Sequence, residues 1–85
     1  MDTREIRLDL GKGVEARLAA MLVQVASQYE SSVHIEADNH HVNAKSIMGV
    51  MSLMLKSGDT ITVTADGADE GSALDGIEEY LTGNK

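Results

Sequence analysis

Ser46 is the residue whose type and position most clearly suggest chemistry, because its hydroxyl directly precedes an apolar run over residues 47–55. A serine just before such a run is typical of a helix N-cap, whose side-chain oxygen accepts a backbone N–H bond and contributes about 1 kcal/mol. The alternative is phosphorylation, which would place a charge of about −1.5 to −2 beside the positive end of a helix. The residue type alone favours the capping interpretation.

The apolar run that follows this serine carries more large side chains than one face of a short helix can bury. Met48, Met51 and Met54 all lie in it. Either some of these side chains pack against a neighbouring helix, or Ile47, Met48 and Met51 form an exposed, adaptable contact surface. The pattern leaves both interpretations open.

Histidines are the other candidate ligands, but the spacing of His34, His40 and His41 does not indicate a metal site. Adjacent residues of a strand point to opposite faces, which makes His40 and His41 poor co-ligands, and the chain has no cysteine. The glycines form no nucleotide-binding fingerprint, and no serine, histidine and acid share a supporting spacing. We therefore expect a protein that is not an enzyme, with no catalytic residue, no metal and no cofactor.

Charge and composition restrict the partners. The 85 residues contain 7 Lys and Arg against 14 Asp and Glu, a formal net charge of −7. That charge repels phosphate backbones and anionic membrane surfaces, so we expect no direct contact with nucleic acid or membrane.

The start of the chain has no apolar signal region, and the absence of cysteine suits a reducing compartment. We expect a cytoplasmic protein with a core of Leu, Ile, Val, Met and Ala, since aromatic residues are only 2%.

The periodicity of apolar residues predicts the order β-α-β-β-α-β-α. Strand alternation spans residues 6–10, 33–37, 41–43 and 60–65, and helical spacing spans residues 16–29, 47–55 and 70–81. Lys56 and Gly58 are typical of a helix C-terminus and predict the end of the second helix, while Gly71 and Gly76 weaken the third. Alternating strands favour a mostly antiparallel sheet with helices on one side. A ferredoxin-like strand order would fit the same pattern.

The segment Asn-Ala-Lys-Ser-Ile-Met-Gly-Val-Met-Ser-Leu over residues 43–53 resembles the regulatory-serine motif of HPr, the histidine-containing phosphocarrier of the bacterial sugar phosphotransferase system. Residues 13–17, 22–24 and 65–70 are also similar to that family, so the resemblance covers essentially the whole chain. It implies a single HPr-like domain over residues 1–85. The implied fold is α+β, an open-faced β-sandwich whose four-stranded antiparallel sheet, in order 1-4-2-3, is covered on one face by three helices.

The chain departs from the family at the carrier site. Where the family reads Gly-aliphatic-His-Ala-Arg-Pro, Glu15 occupies the histidine position and Leu18 the proline position. A carboxylate could form only an acyl phosphate, and its charge repels the phosphoryl donor, so carrier activity is not expected. Glu15 has two interpretations: a solvated acid near a helix N-terminus, or a permanent mimic of phosphohistidine.

The resemblance is strongest to the catabolite-repression branch of the family, Crh, which also lacks the carrier histidine but has Gln there. It implies that HPr kinase/phosphorylase phosphorylates Ser46 and that the product is a corepressor of catabolite control protein A, a LacI-type repressor. The alternative is a phosphocarrier of the phosphoenolpyruvate-dependent sugar phosphotransferase system. The resemblance also allows a monomer or a strand-exchanged dimer. The partner-binding positions that it implies are Arg17, Ala20, Met21, Gln24, Ile47, Met48 and Met51.

Overall fold

The computed structural model describes residues 1–9 and 17–83. Its elements are β1 (Asp2–Arg7), α1 (Leu18–Ser27), β2 (Ser32–Ala37), β3 (His40–Asn43), α2 (Ile47–Ser52), β4 (Thr60–Asp66) and α3 (Glu70–Thr82). The predicted order of strands and helices is confirmed. None of these helices is both long enough and apolar enough to span a bilayer.

The four strands form one antiparallel sheet in the order β1-β4-β2-β3. Its register places apolar residues opposite one another: Ile6 faces Ile61, and Ile35 faces Val63 on one side and Val42 on the other. The strand order implied by the family resemblance is therefore confirmed. The ferredoxin-like order is not the one observed.

The core lies between the sheet and the helices and is built from aliphatic side chains. Along β4, every second residue points into it and is buried. The expectation that methionine contributes to the core is wrong, since all five methionines of the chain are exposed. The largest fully buried apolar side chains are Ile6, Leu8, Leu22, Ile35, Ile61, Leu74, Ile77, Leu81, Val33 and Val63.

The second helix is shorter than predicted. It ends at Ser52, and the next two residues continue only with bonds to the third preceding carbonyl, from Leu53 N to Val50 O (3.1 Å) and from Met54 N to Met51 O (3.2 Å). Met54 then takes a left-handed conformation with φ of 52°. Gly58 does not cap the helix but lies in the turn before β4.

The other element ends shift by smaller amounts. Apolar alternation predicted a first strand over residues 6–10, whereas β1 ends at Arg7 and starts earlier. Leu8 is still buried, and its N–H donates to the carbonyl of Asp59 at 2.7 Å. The predicted first helix began at Ala16, which lies outside the described residues.

Candidate functional site

Ser46 is the N-cap of α2. Its backbone is extended (φ −107°, ψ 113°), and its hydroxyl oxygen accepts a hydrogen bond from Gly49 N at 3.2 Å. A Cβ at Gly49 would stand 3.4 Å from that oxygen and 3.3 Å from Val42 Cβ, so the first turn is tightly packed around the hydroxyl. The capping interpretation is confirmed, and the half-buried hydroxyl occupies a fixed position at the start of the helix.

The residues just before Ser46 anchor it to the rest of the fold. The side-chain oxygen of Asn43 accepts a hydrogen bond from Lys45 N at 2.8 Å, and its carbonyl accepts one from Ser46 N at 3.0 Å. The Lys45 ammonium donates to the carbonyl of Tyr29 at 2.8 Å, just beyond the end of α1. A cation beside free carbonyls at the C-terminal end of a helix is favourable, and here it fastens the approach to α2 onto α1.

The apolar side chains that follow Ser46 point in two directions. Val50 is buried and holds α2 against the core. Ile47, Met48 and Met51 are exposed, at 45%, 80% and 61% of their full surface. We call these three residues the α2 surface. Of the two interpretations that the sequence left open, the exposed one is therefore correct for this set.

A second exposed set runs along α1 with the spacing i, i+3, i+4 and i+7, which places its members on one side of a helix. It comprises Arg17, Ala20, Met21 and Gln24, and we call it the α1 stripe. Leu18, Leu22 and Ala26 occupy the buried side of the helix. Because α1 packs against α2, the α1 stripe and the α2 surface lie on neighbouring elements.

Met54 is an exposed residue that the sequence analysis did not place in the site. It is 82% exposed and lies beyond the end of α2. A helix that continued to residue 55, as predicted, would place Met54 three residues after Met51, on the same side as the α2 surface. The spacing of Met48, Met51 and Met54 was the available signal.

The start of α1 holds Arg17 and Leu18, which follow the family's histidine position. Arg17 is the N-cap residue and makes no side-chain capping bond, and Leu18, at the family's proline position, is buried. The Tyr80 hydroxyl is buried without a hydrogen-bond partner among residues 1–9 and 17–83. Burial raises the pKa of Tyr80, and the positive charge of Arg17 opposes that rise. Glu15, the residue at the histidine position, lies outside the described residues.

The histidines are arranged differently from the sequence expectation. His40 is exposed at the β2–β3 turn, but His41 stacks on His34, with ring centroids 4.9 Å apart and planes inclined by 13°. The sequence prediction compared only the adjacent residues His40 and His41, so it did not include the pair that His34 and His41 form across two strands. Within the part of the chain that the structure describes, no three His, Cys, Asp or Glu residues are grouped as a metal site.

Comparison with known proteins places this geometry in a family. Residues 3–83 match the family described as PTS HPr component phosphorylation site. The HPr-like protein Crh of Halalkalibacterium halodurans is 42% identical over 81 residues, which cover 95% of this chain and 96% of that protein.

Solved structures agree with the sequence comparison. The phosphocarrier protein HPr from Bacillus anthracis is 40% identical with a TM-score of 0.87, covering 94% of this chain and 95% of that one. Crh from Bacillus subtilis, whose crystal structure is described as a dimer with a swapping domain, is 40% identical with a TM-score of 0.75, covering 94% and 87%. Sequence and fold therefore agree that this chain belongs to the HPr family and is a protein of the HPr and Crh type.

Proposed function

We propose that this chain is a regulator of carbon catabolite repression that is switched by phosphorylation of Ser46. HPr kinase/phosphorylase would transfer the γ-phosphoryl group of ATP to Ser46 Oγ, with loss of the hydroxyl proton and release of ADP. The phosphorylated chain then acts in the cytoplasm as corepressor of catabolite control protein A. The observation that carries this proposal is the position of the Ser46 hydroxyl, at the cap of α2 and beside the exposed α2 surface.

The switch would operate through local charge. A phosphate on Ser46 adds about −1.5 to −2 charge and three strong acceptor oxygens at the N-terminal end of α2, where the first backbone N–H groups of a helix have no acceptor within the helix. Arginine side chains of a partner pair well with such a group, because their donors match two phosphate oxygens at once. The α2 surface beside it offers apolar area for burial, and flexible methionines adapt readily to a partner. A partner would therefore pair with the phosphate and bury the α2 surface at the same site.

The α1 stripe would provide the second half of the docking face. Arg17 is exposed at its start and would pair with an acidic group of the partner. The net charge of −7 disfavours direct contact of the chain with DNA. In this proposal the chain is a substrate of the kinase and a ligand of the repressor, and it catalyses no reaction.

Phosphorylation of Ser46 is tested by incubating the chain with ATP and HPr kinase/phosphorylase and measuring its intact mass. We expect the gain of one phosphoryl group, and no gain in Ser46→Ala. Ser52→Ala is the control, because Ser52 is an exposed serine on the same helix whose hydroxyl donates to the Gly49 carbonyl at 2.6 Å. An unmodified wild-type chain, or modification that Ser46→Ala retains, would remove the basis of the proposal.

A phosphocarrier role is the second candidate, because the matching family is described by its phosphorylation site. Glu15 argues against it, since it lacks the nitrogen nucleophile of the family's histidine. Incubation with phosphoenolpyruvate and enzyme I, followed by intact mass, distinguishes the two. We expect no adduct. A durable adduct that disappears in Glu15→Gln would establish the carrier role instead.

We also propose that the chain exchanges β1 to form a dimer, as the swapped dimer of Crh from Bacillus subtilis suggests. β1 is an edge strand that pairs with β4 alone, and Arg4 joins it to α3 through 2.8 Å contacts to Asp75 and Glu78. All these contacts can form equally with the β1 of a second copy. Light scattering over a range of concentrations is expected to resolve monomer and dimer, and a monomer at every concentration would exclude exchange.

A further inference from the structure

The face of the sheet that the helices leave open carries a histidine pair unrelated to the Ser46 site. His34 lies on β2 between the buried residues Val33 and Ile35, so its side chain is on the opposite, open face. His41 lies on β3 and faces Glu36 across the hairpin, whereas His34 faces Asn43. The two histidines are thus diagonal neighbours on adjacent strands, and their rings stack with centroids 4.9 Å apart.

The stacked rings must reorient before both can bind one cation, because an imidazole nitrogen donates its lone pair in the ring plane and the two planes are inclined by only 13°. Histidine nitrogens bind first-row divalent metals at about 2.0–2.1 Å, so two nitrogens on one cation lie at most about 4.2 Å apart. The backbone hydrogen bonds of the hairpin hold both Cα atoms in place, while the exposed ring of His41 is free to turn about its side-chain torsions. Binding therefore requires the His41 ring to turn out of the stack, whereas the strands need not move.

The surroundings of the pair also favour a cation. Glu36 is the direct cross-strand neighbour of His41 and lies two residues from His34 on the same face. A carboxylate that accepts the second N–H of a metal-bound imidazole fixes the ring's orientation and increases its basicity. The net charge of −7 adds a general attraction for cations.

We propose that His34 and His41, with Glu36 beside them, bind one divalent first-row transition cation on the open face of the sheet. Imidazole suits Cu²⁺, Ni²⁺ and Zn²⁺, and Cu²⁺ binds most tightly of the three. Water and not Glu36 completes the coordination, because the described residues hold no group of three or more His, Cys, Asp and Glu side chains that could bind a metal ion. The bound cation cross-links β2 to β3, the edge strand that leads through Asn43 to the α2 cap.

The test is a titration of the full ¹⁵N-labelled chain with NiCl₂ at about pH 7.5, where free imidazole is mostly neutral. Paramagnetic Ni²⁺ should broaden the amide signals of His34, His41 and Thr64 first, because Thr64 pairs with His34 on β4. His34→Gln and His41→Gln are each expected to weaken binding by at least about tenfold. Chelation by EDTA should restore the signals.

His40→Gln is the matched control, because His40 is an exposed histidine next to His41 but is not part of the stack. It should leave the Ni²⁺ affinity unchanged. Far-UV circular dichroism verifies that each variant is folded, which is expected because His41 is exposed and His34 only half-buried. Equal weakening by His40→Gln, unchanged binding by either pair variant, or broadening centred on the carboxylates of α3 would overturn the proposal.

Discussion

The backbone N–H of Gly49 donates a hydrogen bond of 3.2 Å to the hydroxyl oxygen of Ser46. The oxygen that caps α2 is therefore the same atom that would carry the phosphate. Any change at Ser46 acts on both the stability of the helix and the signal that we propose, and the two effects can be separated by the choice of substituent.

Replacing the cap should affect stability by an amount that depends on the acceptor retained. Ser46→Ala removes the acceptor for Gly49 N, and we expect a loss of about 1 kcal/mol in the free energy of unfolding. Ser46→Asp keeps an acceptor at the cap and adds a negative charge at the N-terminal end of α2, so it should be as stable as the wild type. Urea unfolding, followed by circular dichroism, measures the free energy of unfolding of both variants. Equal losses in the two variants would mean that the hydrogen bond does not stabilise α2.

Neighbouring apolar residues of α2 should separate into binding and stability positions. Met48→Ala and Met51→Ala alter exposed side chains, so each should change the free energy of unfolding by less than about 0.5 kcal/mol while weakening the phosphorylated chain's affinity for catabolite control protein A. Val50→Ala is the control for the core, since Val50 is 2% exposed. It should reduce stability by about 1 kcal/mol or more. Unchanged repressor affinity in both methionine variants would exclude the α2 surface from the docking face.

Two glycines of α3 should respond oppositely to alanine. A Cβ at Gly71 would meet nothing within 4 Å, so Gly71→Ala should stabilise the chain by about 0.5–1 kcal/mol through helix propensity. A Cβ at Gly76 would lie 3.0 Å from Cζ of Tyr29 and closer still to its hydroxyl oxygen, so the whole ring would have to move. Gly76→Ala should be destabilising. Thermal unfolding of the two variants side by side measures the contrast, and stabilisation by both would show that the Tyr29 ring adapts without cost.

Asp69 should make stability dependent on pH in the acid range. Its carboxylate accepts hydrogen bonds from the Ser31 hydroxyl and from the backbone N–H groups of Ser31 and Glu30, both at 2.9 Å. The bond from the Ser31 hydroxyl, followed by those from the backbone, lowers the pKa of Asp69 below its ordinary value of 3.8. Because the folded pKa is the lower one, the stabilisation is present above the unfolded pKa and is lost as the pH falls through the folded pKa.

The measurement for Asp69 is the urea midpoint as a function of pH, from neutral to about pH 2. Asp69→Asn should be less stable than the wild type at neutral pH, and the difference should shrink on acidification below about pH 4. Glu79→Gln removes an exposed carboxylate from α3, the helix for which Asp69 is the N-cap residue, and serves as the control for net charge. A difference between Asp69→Asn and the wild type that stays constant over the whole range would contradict this assignment.

The strands and the α2 cap could be predicted from the sequence because both depend on the pattern of polar and apolar residues close together in the chain. Alternation of apolar residues located all four strands, and a serine before an apolar run located the cap at Ser46. The end of α2 could not be predicted in the same way. It depends on burying Leu53 while Met54 takes a left-handed conformation, which tertiary packing decides.

The remaining differences between the sequence prediction and the structure depend on what surrounds a residue and not on its type. Gly71 and Gly76 have the same helix propensity, and only the position of the Tyr29 ring distinguishes them. The His34–His41 pair, by contrast, had a usable signal. Asp38 and Asn39 both adopt positive φ in a two-residue turn, and such a turn sets the hairpin register that makes the two histidines diagonal neighbours.

The most direct measurement is a calorimetric titration of catabolite control protein A with three forms of the chain. These are the phosphorylated wild type, the unmodified wild type and Ser46→Ala carried through the same kinase reaction. New charge-assisted hydrogen bonds to the phosphate should make the phosphorylated form bind at least about tenfold more tightly than the other two. Equal affinities of all three forms for the repressor would contradict the account.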